Sequence, residues 1–486
     1  MSTLERAVSN SSIMLVSQLV TWTATLVLTA ALGRYLGDVG FGELYLAMSF
    51  GVIFSVLVEF GLDQQLVRAV ARDRTLAGTY LVNSVVIKAA LSVIAYALIV
   101  VLIQLLGYPA ELKRTIAVYS LILFVNGVSA SCTAVYQGFE RVFHSAIGMV
   151  IEKGFVSIVA LILLIDGHGI TAIAGVFVVG SLLGALWKVY FLRRMVRITA
   201  SSDISTIRKL VIGALPFFLY WALGAIYYRI DVVLLSKLTD ATVVGWYAAA
   251  YRLFDTLVFL PSMVSTVIMF PILARLATGS RADLRLAMGK GLDVIVMLGV
   301  PICTGLFMLA EPIIQLIYGK PEFLNAVPAL RLLSVGLFLL YVNSVLAVAL
   351  VSLNQERKMT VVAALATIIN LGLNWLLIPH FQHVAAAAVT VVTELFILCY
   401  LGACTPRDLL ARSSLIVFIK ASAAATIMAT VLYALEDQSI LLLVPVGGLT
   451  YCVSSLVFRL VPVEDVRTFR NAIEARRRSR AAPATP

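Results

Sequence analysis

The 486-residue chain is 61% hydrophobic and only 13% charged, and its mean hydropathy is +1.00. A soluble protein carries roughly a quarter charged residues, so this composition excludes the soluble classes. The net charge of +11 would suit a nucleic-acid-binding protein, but the basic residues fall in alternate loops, so nucleic acid is not an expected partner. The composition predicts an all-α membrane protein that crosses the bilayer many times.

Apolar runs of about twenty residues follow one another along the chain, and each can cross a hydrocarbon core about 30 Å thick. Loops on one side carry basic clusters such as Arg193, Arg194 and Arg197, whereas the opposite loops are short and carry few. By the positive-inside rule, both termini are expected to face the cytoplasm. Hydropathy predicts about fourteen spans: residues 11–32, 43–62, 81–106, 115–136, 146–165, 170–190, 211–235, 245–270, 291–312, 326–352, 360–379, 384–402, 415–435 and 439–460.

A short repeat divides the first twelve spans into halves. Leu32 and Gly42 are separated by the same interval as Leu235 and Gly245, and each pair joins the first two spans of a six-span block. Repeats of this kind are typical of membrane transporters, so we predict two pseudo-symmetric six-helix lobes followed by two further helices. The predicted parts are an N-terminal lobe at 1–192, a basic cytoplasmic linker at 193–210, a C-terminal lobe at 211–403, helices 13 and 14 at 404–461, and a basic cytoplasmic tail at 462–486. The tail is either an interfacial helix or a solvated segment.

Several short motifs occur in an order and spacing that resemble a known family, the polysaccharide flippases of the multidrug/oligosaccharidyl-lipid/polysaccharide (MOP) exporter superfamily. Two departures concern the subgroup: Asp38 stands where a proline is common, and Gln382-His383-Val384 replaces a glycine-rich turn. The matching pieces are Leu36-Gly37, Phe41-Gly42, Glu59-Phe60-Gly61-Leu62, Tyr136-Gln137-Gly138, Tyr228 with Asp231, Phe270-Pro271, and the stretch from Asn370 through Thr390 with Glu394.

The resemblance implies two six-helix lobes around a central cavity that opens alternately to each side of the membrane. It also implies that the substrate is an oligosaccharide repeat unit linked to undecaprenyl pyrophosphate, moved from the cytoplasmic to the outer leaflet for cell-surface polysaccharide synthesis. The expected location is the bacterial inner membrane. Membrane lipids, a polysaccharide polymerase and glycosyltransferases of the same pathway are the expected partners.

Such a substrate needs cations for its pyrophosphate and polar groups for its sugars. Five of the basic residues within predicted spans are the candidates, and each is costly there unless it faces a cavity or a partner. Arg229, Arg252 and Arg331 lie toward the outer half of the membrane, and Lys88 and Lys153 toward the inner half. Arg229 is the first candidate because no partner stands near it in the sequence. All five are predicted to contribute to substrate binding.

Three of these cations have alternative roles in the structure. Arg252 and Asp255 are three residues apart and can pair along one helix face. Lys88 lies at the depth of Glu59 and Asp63 in the neighbouring span and can form an inter-helix ion pair. Arg331 lies near the end of its span and can extend toward the outer surface.

Mid-membrane carboxylates can bind a proton or a sodium ion and couple a gradient to lobe movement. The predicted coupling candidates are Glu394, Asp231 and Glu59. For Glu394, the alternative is a packing role through a hydrogen bond to an asparagine. Asn370 and Asn374 share a helix face and are predicted to contact substrate, or to form structural hydrogen bonds.

The sequence has no Walker A loop and no nucleophile placed with a base, so a transporter is predicted and not an enzyme. His380 and His383 lack further ligands nearby, so neither a metal nor a cofactor is expected beyond a coupling proton or sodium ion. Two alternative transport functions stay open: a lipid II flippase of peptidoglycan synthesis, and a cation-coupled multidrug exporter of the same superfamily. The buried arginines count against export of cationic drugs. The short loops count against a membrane-bound glycosyltransferase.

Overall fold

The fold was examined in a computed structural model, which describes residues 3–197, 204–410 and 412–460. The described residues form helices and connections without any strand, as predicted. The predicted tail and part of the linker lie outside the described residues. The helices are α1 Thr3–Glu59, α2 Leu62–Arg72, α3 Ala77–Leu105, α4 Ala110–Ser120, α5 Ile122–Gly138, α6 Phe143–Ile165, α7 Ile170–Met195, α8 Ile204–Leu238, α9 Ala241–Leu257, α10 Phe259–Ser262, α11 Phe270–Leu276, α12 Arg281–Met308, α13 Ala310–Tyr318, α14 Val327–Ser352, α15 Glu356–Cys404, α16 Arg412–Ala434 and α17 Ile440–Val457.

Two helices contain a single non-helical residue where two predicted spans meet. α1 is interrupted at Gly37, with φ 68°, between the first and second predicted spans. α15 is interrupted at Gln382, with φ 51° and ψ −133°, between the eleventh and twelfth. By length and composition, eleven helical stretches of the described chain can cross a membrane. The protein is therefore a multi-pass membrane protein, and the count of fourteen spans stays a prediction.

Short segments of other helix types connect the α-helices. Two are 3-10 helices, Arg74–Leu76 and Pro321–Ala326. The third is a π-helix, Met263–Met269, which begins two residues after Pro261. A proline has no N–H to donate and collides with the preceding turn, so a local change of helix type at this place has a clear physical cause. The hydroxyl of Ser265 donates to the Pro261 carbonyl at 2.6 Å.

The chain forms two compact units. The first unit contains residues 1–256, 314–329 and 357–393, of which 1, 2 and 198–203 are not described. In it, α1 packs against α3, α4, α6 and α8, and α7 packs against α4, α5 and α6. Gly148 of α6 and Gly184 of α7 face one another so closely that a side chain at either would meet the carbonyl of the other. One core of this unit joins α2, α3, α5 and α7 around the fully buried Tyr136, whose hydroxyl donates to the Lys188 carbonyl at 2.8 Å.

The second unit contains residues 257–313, 330–356 and 394–486, of which 411 and 461–486 are not described. Its core forms where α12 packs against α16 and α17. Ala421, Met428 and Leu432 of α16 fill the space between Val296 of α12 and Tyr451 of α17. The Tyr451 hydroxyl donates to the Met297 carbonyl at 3.1 Å, so the one polar atom of this ring is satisfied within the apolar core. The boundaries of the two six-helix lobes stay predictions.

Candidate functional site

Arg229 is the centre of a polar cluster inside the first unit. Its guanidinium Nη2 lies 2.7 Å from Asp255 Oδ2, and Nη1 donates to the hydroxyl of Tyr45. Its Cζ also lies 5.3 Å from the ring centroids of both Tyr45 and Tyr251. α1, α8 and α9 each contribute to this cluster, so it holds three helices together. Two tyrosine rings and one carboxylate surround a single guanidinium, which is the cation that binds such rings best.

Arg252 joins the same cluster from α9 without a carboxylate partner. Its Cζ lies 5.4 Å from the Tyr45 centroid, and its Nη2 lies 2.9 Å from the sulfur of Met48. Its Nε is buried and has no hydrogen-bond partner within the described residues. The alternative pairing of Arg252 with Asp255 along one helix face is therefore wrong, because Asp255 bonds Arg229 on the neighbouring helix instead. Two predicted cations thus meet at one tyrosine ring.

Asp231 lies two residues after Arg229 and is turned to a different partner. It is 2% exposed, and Oδ2 accepts a hydrogen bond from the Tyr247 hydroxyl. Its Oδ1 accepts from the backbone N–H of Val232 at 2.8 Å. A buried carboxylate held by two donors needs no cation to remain satisfied. The coupling role of Asp231 stays a prediction.

Asn370 and Asn374 are both buried on α15 and bond one another. The Asn374 Nδ2 donates to the Asn370 Oδ1 at 3.0 Å, whereas the Asn374 Oδ1 is buried without a partner among the described residues. One turn earlier, the Thr367 hydroxyl lies 3.3 Å from the Leu223 carbonyl of α8. Asn370 therefore forms a structural hydrogen bond, and the Oδ1 of Asn374 stays available as an acceptor. Their predicted contact with substrate stays a prediction.

Glu394 and Arg331 lie in the second unit. Asn343 of α14 donates through Nδ2 both to the Glu394 carboxylate at 2.8 Å and to its backbone carbonyl at 2.9 Å. Glu394 is thus bonded to an asparagine, as the packing alternative requires, but to one that the sequence did not single out. Arg331 is exposed, with its Cζ 5.9 Å from the Phe307 ring centroid. This placement fits the alternative in which Arg331 extends outward.

Lys88 forms the inter-helix ion pair that its depth predicted. Its Nζ lies 2.6 Å from Asp63 Oδ1, and the lysine side chain is only 1% exposed while that of Asp63 is 26% exposed. Glu59, the other carboxylate at this depth, is exposed. The predicted inter-helix ion pair of Lys88 is therefore confirmed, and its partner is Asp63. Lys153 of α6 is 39% exposed and lies 2.9 Å from Glu152 Oε1.

Replacing Lys88 with methionine should lower the free energy of unfolding by about 2 kcal/mol, because Asp63 then stays partly buried without its cation. The expected loss is below the usual range for buried pairs, since water still reaches Asp63. Thermal unfolding in detergent measures it. The double variant Lys88→Met with Asp63→Asn should recover most of the loss, and Lys153→Met is the matched control with a smaller effect. Equal stability of Lys88→Met and the natural chain would contradict a structural role for the pair.

A polar groove of about 430 Å³ lies beside the Lys88 pair in the first unit. Glu59 and Asp63 line one side, and polar residues of α5 line the other. Lys188 of α7 also lines it, and the sequence did not predict a role for this lysine because it stands two positions before the end of a predicted span. A lysine so close to a basic loop is expected to reach solvent, yet Lys188 is 7% exposed. Only the packing of α6 and α7 could have indicated its burial.

The two glycines of the sequence repeat face one another. A Cβ on Gly42 of α1 would collide with the backbone of Ala241 and Gly245, and a Cβ on Gly245 of α9 would collide with the Asp38 carbonyl. The Asp38 carboxylate accepts from the indole N–H of Trp246 at 3.0 Å. Beside this contact, Arg34 donates to two carbonyls at the end of α13. The repeat motifs therefore form one close contact between two helices.

Outside the spans, two exposed carboxylates have a lowered pKa. The hydrogen bond from Arg281 Nε, at 2.8 Å, lowers the pKa of Asp408, and hydrogen bonds from the hydroxyl and backbone N–H of Thr75 lower that of Asp73. A lowered pKa stabilises the fold above the ordinary value near pH 4, and the contribution disappears as pH falls through the folded value. Both groups hold connections in place. Across the described part of the chain, no three His, Cys, Asp or Glu side chains are placed to hold a metal.

The chain is similar to several known transporters. A curated relative, the probable lipid II flippase MurJ of Haemophilus influenzae, is 26% identical over 246 residues, which are 47% of this chain and 47% of that protein. The chain thus matches about half the length of this relative. Among solved structures, an inward closed lipid II flippase MurJ aligns with a TM-score of 0.74 at 16% identity, covering 93% of this chain and 99% of that one. At these identities the structural likeness shows the fold alone.

Two transporters of the MOP superfamily share the fold as well. An inward-facing multidrug resistance MATE transporter aligns with a TM-score of 0.63 at 15% identity, over 80% of this chain and 94% of that one. A MOP transporter of Pyrococcus furiosus aligns with a TM-score of 0.60 at 15% identity, over 82% and 95%. The MatE family model matches residues 216–376. The family model described as polysaccharide biosynthesis protein matches residues 7–277, more than half of the chain, and the protein therefore belongs to that family, within the MOP superfamily.

Proposed function

We propose that the protein is a flippase that moves oligosaccharide repeat units linked to undecaprenyl pyrophosphate from the cytoplasmic to the outer leaflet. Alternating access of the two predicted lobes carries the sugar and pyrophosphate across, while the polyprenyl chain stays in lipid. In this proposal the membrane is the bacterial inner membrane, both termini are cytoplasmic, and the polymerase and glycosyltransferases of the pathway are partners.

The observation that carries the proposal is the meeting of Arg229 and Arg252 at Tyr45. Asp255 bonds one of the two guanidinium groups, and the other keeps its donors free of carboxylates. A guanidinium binds phosphate oxygens through two parallel hydrogen bonds, each stronger than a neutral hydrogen bond. In a bundle of apolar helices, such a group attracts an anionic headgroup and lowers the free energy needed to bring it out of water.

The coupling part of the proposal concerns the buried carboxylates. Asp231 is held by a tyrosine hydroxyl and a backbone N–H, and Glu394 by the amide of Asn343. A carboxylate in this state can take up a proton or a sodium ion, and Glu59 at the groove is a third candidate. A proton or sodium gradient would then give transport its direction.

A second candidate function is supported by the relatives. The curated relative and one of the solved structures are lipid II flippases, and lipid II also joins sugars to a polyprenyl chain through pyrophosphate. Arg229 and Arg252 suit either substrate, because both carry the same anionic link. A multidrug exporter of cations is less well supported, since the cluster presents guanidinium groups rather than free carboxylates.

Reconstitution of the purified protein in liposomes tests the proposal. Fluorescent undecaprenyl-pyrophosphate oligosaccharide and fluorescent lipid II are placed in separate vesicles, and a membrane-impermeant quencher reports the leaflet that each occupies. We expect the oligosaccharide carrier to become accessible in the outer leaflet faster than lipid II. Faster movement of lipid II would assign the second function, and no movement of either, with drug efflux instead, would overturn both.

A further inference from the structure

The polar groove of the first unit differs from the arginine cluster in its lining. Amides and hydroxyls of α5 face the carboxylates Glu59 and Asp63 across a volume of about 430 Å³. Asn126 accepts from the Ser181 hydroxyl at 2.7 Å through Oδ1 and keeps its two N–H donors. Gln64 and Gln137 are exposed along the groove. A lining that offers both hydrogen-bond donors and acceptors can bind the hydroxyl groups of a sugar, because each hydroxyl both donates and accepts.

Lys188 lies at the buried side of this groove. Its aliphatic stem packs against Gly148 of α6, where a Cβ would meet the lysine carbons. Its Nζ donates to the Ser129 hydroxyl at 2.8 Å, and Ser129 also lines the groove. The ammonium is therefore directed toward the groove by the packing of its stem and by one hydrogen bond.

Lys188 differs from the two other lysines of this region. Lys88 is bonded to Asp63, and Lys153 is bonded to Glu152, so the nearest carboxylates already have partners. Among the described residues, Lys188 has a hydroxyl as partner and no carboxylate within ion-pair distance. A buried ammonium has three donors and is costly unless an anion satisfies it. Glu152 also acts on Lys188 electrostatically, but it is bonded to Lys153, so an anionic oxygen in the groove would give Lys188 an ion-pair partner of its own.

We propose that this groove binds the sugar part of the substrate and that Lys188 selects sugars with an anionic substituent, such as the carboxylate of a uronic acid. The inference rests on the proposed function, because it places the sugar of the same substrate. A phosphate oxygen has the same chemistry, but the carboxylates Glu59 and Asp63 in the lining accept hydrogen bonds from sugar hydroxyls and repel a phosphate. Lys188 is thus a specificity-determining residue, distinct from the arginines assigned to the pyrophosphate.

Two synthetic probes that differ in one group test the inference. Both are disaccharides on undecaprenyl pyrophosphate, one ending in glucuronic acid and the other in glucose. With the full-length protein in liposomes, we expect the glucuronic acid probe to bind about tenfold more tightly, as a charged hydrogen bond predicts. Lys188→Met should remove this preference, so that the two probes bind equally. Lys188→Arg should keep part of it.

The controls separate the possible failures. Lys320→Met removes a lysine of the same unit that is paired with Glu322 outside the groove, and it should leave the preference intact. Equal binding of the two probes by the natural chain would overturn the inference and leave the proposed function standing, provided that both probes cross the membrane. An equal loss for both probes in Lys188→Met would place the pyrophosphate at Lys188 and overturn the sugar assignment. If neither probe crosses, the proposed function fails and the inference fails with it.

Discussion

Replacing Arg229 with alanine is expected to lower the rate of flipping by about tenfold or more, because charge-assisted hydrogen bonds to a phosphate are lost. The same change removes the partner of Asp255, whose side chain is 27% exposed, so the free energy of unfolding should also fall by about 1–3 kcal/mol. Transport in liposomes measures the first effect and thermal unfolding the second. Both follow from the position of one guanidinium between a carboxylate and two tyrosine rings.

Companion variants separate the transport effect from the stability effect. Arg229→Met combined with Asp255→Asn should restore stability without restoring transport. Arg252→Ala should reduce transport with little loss of stability, because no carboxylate depends on it. Arg281→Ala removes an exposed ion pair with Asp408 and is the control for a general loss of positive charge. Normal transport in both Arg229→Ala and Arg252→Ala would remove these residues from the substrate site.

Replacing Gly245 with alanine is expected to open the contact between the repeat motifs. The added Cβ would overlap the Asp38 carbonyl, and a backbone atom cannot rotate away as a flexible side chain can. Conformations that separate α1 from α9 should then become the majority, since an overlap of this kind costs on the order of 1–3 kcal/mol. The measurement is maleimide labelling of Ala249→Cys, a buried position one turn further along α9, in a background without the five native cysteines.

The labelling rate of Ala249→Cys should rise about tenfold when Gly245→Ala is added. Gly224→Ala is the matched control, because a Cβ at Gly224 of α8 meets no atom within 4 Å. Labelling that rises equally in the control would indicate general loosening of the helices. Unchanged labelling in Gly245→Ala would show that the protein tolerates the extra carbon and that this contact does not govern access.

The sequence predicted the helical class well because long apolar runs have one stable form in a membrane. Hydropathy also predicted a short break between the first and second spans and another between the eleventh and twelfth spans. In the structure each break is one residue with positive φ inside a longer helix, at Gly37 and at Gln382. Hydropathy cannot distinguish a loop from a kink, because both contain a few polar residues between two apolar runs.

The candidate site was predicted in part. Lys88 and Asp63 were placed together because their depths in the membrane agree, and depth is readable from the sequence. The sequence suggested Arg252 as the partner of Asp255 because residue spacing describes contacts along one helix only. In the structure Asp255 pairs with Arg229, which belongs to the neighbouring helix α8. Asn343, which bonds Glu394, was missed for the same reason. Which faces of separate helices meet is decided by packing, and no local pattern records it.

Gln382 holds a conformation that only glycine adopts without strain. The next residue stabilises it: His383 Nε2 lies 2.7 Å from the Asn325 carbonyl, and its ring packs edge-on against Trp246. The glutamine side chain is exposed and takes no part in these contacts. Gln382→Gly would therefore relieve the torsional strain at this position and disturb no neighbour, so it is the first substitution to choose when a more stable protein is needed for purification.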